Sequence, residues 1–308
     1  MSRSNTDSKK GWVLDINLDQ PSLSDNTSDA DRIIKELTKK TGIKDIDIDY
    51  ELLKKIPFIL RDCNYNITCT FIKYKSKAVL IDIRPVENNK PVCGIAIDLG
   101  TTRIVMRLVN LQDSSVLGEA TFDNPQIAIG PDVLTRIHFS EKENGLHQLN
   151  SLVIEGINKC IIELCEINSL SPDDVLLVTL AGNTAMTHLF LNLDPRWIIR
   201  EPYIPVINKP GLLHARELNL NTNLHSRIIV FPNIGSYFGG DLIAGILFSK
   251  MYMAEETAIL VDVGTNAEVV LGNGEWLLAC AGAAGPALES GVSKIGMAAQ
   301  PGAIEKVE

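Results

Sequence analysis

Val92-Cys-Gly-Ile-Ala-Ile-Asp98-Leu-Gly-Thr-Thr102-Arg-Ile-Val-Met-Arg-Leu-Val109 decides how this chain is read. An apolar run ends in Asp98-Leu99-Gly100-Thr101-Thr102 and resumes at once, which predicts two strands joined by a tight acidic Gly-Thr turn. The device returns where Ala258-Ile-Leu-Val-Asp262-Val-Gly-Thr-Asn266 leads into Ala267-Glu-Val-Val-Leu271. A single Asp-x-Gly-Thr turn reads most simply as a hairpin turn. Two copies, each flanked by β runs, predict a duplicated domain with one phosphate-handling hairpin from each half.

Phosphate chemistry asks for these residue types. Glycine removes the Cβ, so a phosphate oxygen can approach the N–H groups of the turn, and the Thr hydroxyls add donors beside them. An Asp at each strand end supplies a carboxylate suited to a hydrated Mg²⁺. Two such carboxylates facing one cleft would repel by about 3 kcal/mol at ~5 Å and an effective dielectric of ~20, a cost that a divalent cation removes.

At 308 residues and 45% hydrophobic content the chain has material for two domains with real cores. Its net charge of −9, without a basic cluster, excludes a nucleic-acid groove as the main surface. The polar start leads into no apolar signal core and no segment reaches the length of a membrane span, so a soluble, cytoplasmic protein is expected. Cys63, Cys69, Cys93, Cys160, Cys165 and Cys280 are scattered without a Cys-x-x-Cys pair. Cys93, Cys160 and Cys165 read as core residues, and no cluster or zinc ligand set emerges.

Along the chain, residues 1–28 read as a flexible lead. A helix capped by Ser28 carries Ile33, Ile34 and Leu37 on one face and ends at Thr41-Gly42. A second helical pattern over 49–62 is kinked or divided by Pro57, and two strand-like runs follow at 66–71 and 78–83. These make a small α+β domain over 29–85, closed by a linker. The first half of the larger domain is expected over 92–257 and the start of the second over 258–308.

Within the first half, a third strand spans 116–122, Pro131 opens a helix through Arg136, and a long amphipathic helix occupies 146–167. An apolar strand over 174–181 delivers Gly182-Asn183-Thr184 to a helix, where Asn183 and Thr184 either touch a phosphate or cap. His188 reads as a helix-face residue. Residues 194–226, with four prolines between 195 and 210, read as a long surface connection in which Trp197 and Tyr203 anchor the loop or meet a partner. A strand at 227–231 precedes Gly239-Gly-Asp241-Leu-Ile-Ala-Gly245, where Asp241 is either an N-cap or a carboxylate that orients attacking water. The Asn-Gly at 273–274 turns the second hairpin into a strand over 275–281, and the small-residue loop through Gly285 could lie against phosphate or ribose.

The motif series resembles the actin, Hsp70 and sugar-kinase (ASKHA) superfamily, in which two RNase H-like halves clasp Mg·ATP. Gly94-Ile-Ala-Ile-Asp-Leu-Gly-Thr-Thr102, Asn124-Pro-Gln126, Ala181-Gly-Asn-Thr-Ala-Met186, Pro232-Asn-Ile234, Gly239-Gly-Asp-Leu-Ile-Ala-Gly245, Asp262-Val-Gly-Thr-Asn266 and Ala284-Gly-Pro-Ala287 are similar to those of ATP-dependent reductive activators of corrinoid proteins. The resemblance implies an α/β, actin-like ATPase fold, its second half incomplete, preceded by a small α+β middle domain. It implies return of a Co(II) corrinoid to Co(I), with ATP hydrolysis coupled to electron transfer and a corrinoid protein as partner.

Carried over by motif, Asp98 and Asp262 would hold the metal. Gly100, Thr101, Thr102, Asn183, Thr184, Gly264, Thr265, Asn266 and Gly285 would surround ATP. Asp98 and Asp241 would be catalytic, with Asp241 activating water. The family's iron–sulfur domain has no ligand set in this sequence, so a separately encoded redox protein is one expected partner and a homodimer another. The second half stops before the Gly-rich segment that would hold adenosine, which leaves a fragment, a split gene product or a degenerate protein. Mg·ATP binding is therefore expected to be weak here and stronger once that portion is supplied. Two alternatives predict other outcomes: a small-molecule kinase of the same superfamily would phosphorylate a metabolite, and a non-catalytic module would dock on a corrinoid protein regardless of ATP.

Overall fold

The computed structural model describes residues 12–87, 90–264 and 266–283. The small unit runs β1 (Val13–Asn17), α1 (Asp29–Thr41), β2 (Asp45–Ile48), α2 (Tyr50–Leu53), α3 (Ile56–Asp62), β3 (Asn66–Tyr74) and β4 (Lys77–Pro85). Its sheet has the order β1-β3-β4-β2, with β2 parallel to β4 and the other pairs antiparallel. Ile33, Leu37, Leu52, Ile56 and Leu60 from the helices meet Ile16, Ile67 and Leu80 in one core. Ser28 caps α1 by accepting from Asp31 N, and Gly42 closes it at φ 74°, where a side chain would be strained. Pro57 stands in the first turn of α3, so the predicted helix is divided.

Two strands correct the sequence reading. The lead over 1–28 contains β1, which pairs with β3 from Val13↔Thr70 to Asn17↔Asn66 and buries Ile16. Its alternation lies in a polar stretch, so composition hid it. β2 alternates Asp45-Ile46-Asp47-Ile48, and only pairing with β4 makes it a strand.

The larger unit continues with β5 (Cys93–Leu99), β6 (Arg103–Asn110), β7 (Val116–Asp123), α4 (Val133–Ser140), α5 (Gly145–Ile167), β8 (Val175–Gly182), α6 (Thr184–Phe190), β9 (Gly211–His214), β10 (Arg227–Val230) and α7 (Gly240–Ser249). Then come β11 (Ala258–Val263), β12 (Asn266–Gly272) and β13 (Leu277–Ala283). One sheet has the order β7-β6-β5-β8-β10-β9, and β11-β12-β13 form a second. β5, β6 and β7 are an antiparallel meander, while β8 lies parallel to both β5 and β10. This is the strand order of an RNase H-like half. α5 lays Leu149, Val153, Ile157, Ile161 and Leu164 on the sheet, where Cys93, Cys160 and Cys165 are also buried. Burial pushes the Cys93 thiol up to about 12 and those of Cys160 and Cys165 up to about 11, as inert core thiols require.

Two further readings change. Asp132, not a proline, opens α4: its side chain accepts from Thr135 N, and Pro131 lies outside the helix. The connection over 194–226 carries β9, which extends the sheet antiparallel to β10. Its four residues fall just after Pro210, so turn signals obscured them. Among the described residues no helix is long and apolar enough to cross a membrane.

His188 staples that connection to α6. Its buried ring meets Thr184 O through Nδ1 at 2.7 Å and accepts from Val206 N through Nε2 at 3.0 Å, which fixes the neutral tautomer. Burial lowers its pKa, against opposing contributions from Thr184 and Asp194. The unfolded chain therefore binds more protons below the ordinary histidine value, and stability falls as pH drops through about 6.5. We expect His188→Asn to cost about 1–2 kcal/mol at pH 7.5 and to flatten the loss between pH 7 and 5. Urea unfolding across that range checks it, and an unchanged slope would assign the acid sensitivity elsewhere.

Candidate functional site

The site is built where strand ends and a helix start converge. Parallel pairing sets Leu99 beside Gly182, so the turn after β5 and the turn after β8 leave the sheet together. A Cβ on Gly182 would stand 2.8 Å from Leu99 O. One on Gly239, which precedes α7, would stand 2.4 Å from Asn183 Cα and 2.7 Å from Gly182 O. Three loops thus touch through bare backbone, and any side chain at these glycines would force them apart.

The turn over 100–102 is held from inside by its carbonyls. Asn124 Nδ2 donates to Gly100 O at 2.9 Å, Arg136 Nη2 to Thr101 O at 2.6 Å, and Asn124 N to Thr102 O at 2.8 Å. In a trans peptide the N–H points opposite its C=O, so the N–H groups of Thr101 and Thr102 are turned away from these donors. Among the described residues neither donates to a protein acceptor. Two unspent N–H groups, one on the buried Thr101 and one on the exposed Thr102, fit an anionic oxygen.

Asn183 and Thr184 support this turn. Asn183 Oδ1 accepts from Met186 N, capping α6, and its Nδ2 donates to Thr101 Oγ1 at 3.0 Å, while Thr184 Oγ1 donates to Gly235 O. Their side-chain groups are spent on protein partners: Asn183 caps the helix and braces Thr101, and Thr184 ties the helix start to the loop at Gly235. Thr101 Oγ1, accepting from Asn183, keeps its own proton to donate.

Three carboxylates act on one another through their charges. Burial and then the charge of Asp262 raise the pKa of Asp98. Asp241, in the first turn of α7, does not cap that helix: Gly239 holds the cap position and Asp241 Oδ1 accepts from Leu242 N at 2.8 Å. Desolvation, opposed by that hydrogen bond and reinforced by Asp262 and Asp98, pushes Asp241 up to about 6. Asp98, Asp241 and Asp262 therefore share one field: the charge of Asp262 reaches both Asp98 and Asp241, and that of Asp98 reaches Asp241.

Sequence reasoning missed Glu268. Antiparallel register puts it directly opposite Asp262, where like charges destabilise a pair. Desolvation, then Asp241 and Asp262, pushes Glu268 up to about 7. The signal was present: a hairpin bend over 264–266 puts residue 268 across from 262. Asn124, quoted in the motif series without a role, and Arg136 brace the first turn, and that task was not read from the sequence because their partners are remote in it.

Among the described residues no group of three or more His, Cys, Asp or Glu is placed to hold a metal ion directly. A hydrated Mg²⁺ takes one or two carboxylates plus phosphates and keeps waters, so it requires no such group. Among the described residues, a Cβ on Gly264 would meet nothing within 4 Å. Thr265 and Gly285 lie outside the described residues, as does the side chain of Asn266. Cys63, Cys69, Cys93, Cys160, Cys165 and Cys280 are all free, and four of them are buried.

Comparison with known proteins agrees with this architecture. Residues 12–90 match a family model described as the RACo linker region, 93–254 the RACo middle region, and 256–308 the C-terminal domain of RACo, the ASKHA domain. The family's term "middle region" thus goes with the first RNase H-like half, and "linker region" with the small α+β unit. The corrinoid activation enzyme RamQ of Eubacterium limosum is 32% identical over 230 residues, 74% of this chain and 38% of RamQ. A [Co(II) methylated amine-specific corrinoid protein] reductase of Methanosarcina barkeri is 28% identical over 68% of this chain and 40% of its own length. The solved structure of a reductive activator for corrinoid, iron–sulfur protein superposes with a TM-score of 0.84 at 35% identity, covering 99% of this chain and 49% of the other. The chain thus spans half or less of the length of these relatives, and with its linker, middle and ASKHA segments in collinear order it belongs to the RACo family.

Proposed function

We propose that this chain carries the nucleotide cleft of an ATP-dependent reductive activator of corrinoid proteins. What supports the reading is the charge of Asp262 acting on Asp98, each at the end of its apolar run, together with the unspent N–H groups of the first turn. Asp98 and Asp262 would hold Mg²⁺ through its waters, and when bound the ion would neutralise phosphate charge. Thr101 and Thr102 would take phosphate oxygens with N–H and hydroxyl donors, and Gly264, Thr265 and Asn266 would do so from the other side. Asp241, deprotonated above about pH 6, would orient the attacking water and accept its proton.

The work done by that hydrolysis would be uphill transfer of one electron to Co(II) of a bound corrinoid protein, giving Co(I). The electron would come from an iron–sulfur centre or a separate redox protein, since the cysteines of this chain are dispersed. A cytoplasmic setting suits such a donor.

Calorimetry with Mg·ATP tests the cleft, on these 308 residues and on a chain extended to the length of its relatives. Heat is expected from both, larger in the second, and Asp98→Ala should weaken binding about tenfold or more. No heat from the longer chain, or an affinity untouched by the substitution, would reject the reading. ATP turnover stimulated by a corrinoid protein without phosphorylated product would exclude the small-molecule kinase.

A further inference from the structure

We propose that Arg136 is a positioning residue for the triphosphate, a wholly buried cation that pins the first phosphate turn and lends it a charge. The inference rests on the nucleotide reading above. Arg136 is 0% exposed, and its partners are neutral: Nε donates to Gly130 O at 2.8 Å, Nη1 to Gln126 Oε1 at 3.2 Å and Nη2 to Thr101 O at 2.6 Å, with Met186 Sδ also 3.2 Å from Nη1. Among the described residues no carboxylate lies within ion-pair distance of it, although the field of Asp132 reaches it.

Burying an unpaired cation is costly, and a fold that needed only a hydrogen-bond donor could use a neutral side chain. Burial lowers its pKa only to about 10, so the charge persists at neutral pH. Two consequences follow from the place of that charge. By holding Thr101 O, the guanidinium keeps the next N–H, that of Thr102, turned outward. By standing directly behind the turn, in surroundings of low polarisability, it attracts whatever anion the turn receives, and that attraction grows with the anion's charge.

The graded attraction separates this role from a merely structural one. Inorganic triphosphate, diphosphate and monophosphate, each with Mg²⁺, are titrated into the full chain by calorimetry, with thermal unfolding as a check of folding. Arg136→Met is expected to weaken triphosphate tenfold or more and monophosphate threefold or less. Arg136→Lys keeps the charge on a group whose pKa burial depresses, so its triphosphate affinity should be within about threefold of the parent at pH 7 and fall by pH 9, where the parent stays level. Equal losses for all three ligands in Arg136→Met, or a level profile in Arg136→Lys, would overturn the proposal. If Arg136→Met does not fold, the Lys profile alone decides. Failure of the longer chain to take up Mg·ATP would remove the nucleotide reading and this inference with it; Mg·ATP binding without phosphate binding, or phosphate binding without charge grading, removes only this inference.

Discussion

Asp241→Asn is expected to lower ATP turnover by about 10²–10⁴-fold while raising the unfolding free energy of the nucleotide-free chain at pH 7.5 by about 1–3 kcal/mol. The two effects share one cause. Asp241 is taken from water at the start of α7 and faces Asp262 and Asp98, so its pKa rises from 3.8 to about 6. A carboxyl whose folded pKa exceeds its unfolded one binds more protons in the native state between about pH 4 and 6. Stability therefore falls as pH rises through that window and stays low above it. Asparagine keeps the shape and the acceptor for Leu242 N, removes the charge, and with it the proton acceptor. Denaturant unfolding should show the gain at pH 7.5 and little of it at pH 4, and added Mg²⁺ should stabilise the parent more than the variant. A variant that is both less stable and still active would deny Asp241 a place in the cleft chemistry.

That trade of stability for charge explains which parts of the molecule were legible from its residues. The two hairpins, the cap at Ser28 and the α5 stripe rest on local rules, in which a period, a turn residue or a capping oxygen lies within a few positions of its effect. β1, β2 and β9 rest on partners: Asp45-Ile-Asp-Ile48 becomes a strand because β4 runs beside it, and Gly211-Leu-Leu-His214 because β10 does. The same division holds in the site. Asp98 and Asp262 end apolar runs and announce themselves, whereas Arg136 looks like a surface position of a short helix. Its role depends on Thr101, Gln126, Gly130 and Met186 closing around it. Asn183 and Thr184 illustrate the converse, residue types that suit a phosphate but whose groups the tertiary structure employs elsewhere.

The largest stability loss is expected at a contact far from that cleft, where the small unit grips the sheet. Asp49 caps α2 by accepting from Glu51 N at 3.0 Å, and the same carboxylate receives Arg227 Nη2 at 2.7 Å and stands 3.3 Å from His225 Nδ1. Arg227, the first residue of β10, also donates to His225 O and meets His214 Nδ1, both at 2.8 Å. All of Asp49, His225 and Arg227 are under a tenth exposed, so removing the carboxylate strands a buried guanidinium. Asp49→Ala should therefore cost about 3–5 kcal/mol, whereas Asp49→Leu joined with Arg227→Met should recover most of it, because a fully apolar replacement leaves no charge unpaired. Burial works to raise the pKa of Asp49, but the hydrogen bonds from Arg227 and Glu51 and the nearby charges outweigh it and hold it below the ordinary value. Its contribution is thus complete above about pH 4 and is lost as pH falls through the depressed pKa. Beyond stability, β10 runs from this anchor to the loop that introduces Gly239 and Asp241, so the small unit fixes one end of a strand whose other end leads into the cleft. Limited proteolysis between the two units should accelerate in Asp49→Ala and not in the double variant. A loss below about 1 kcal/mol, or a double variant no better than the single one, would show that the Asp49–Arg227 pair is not what holds the two units together.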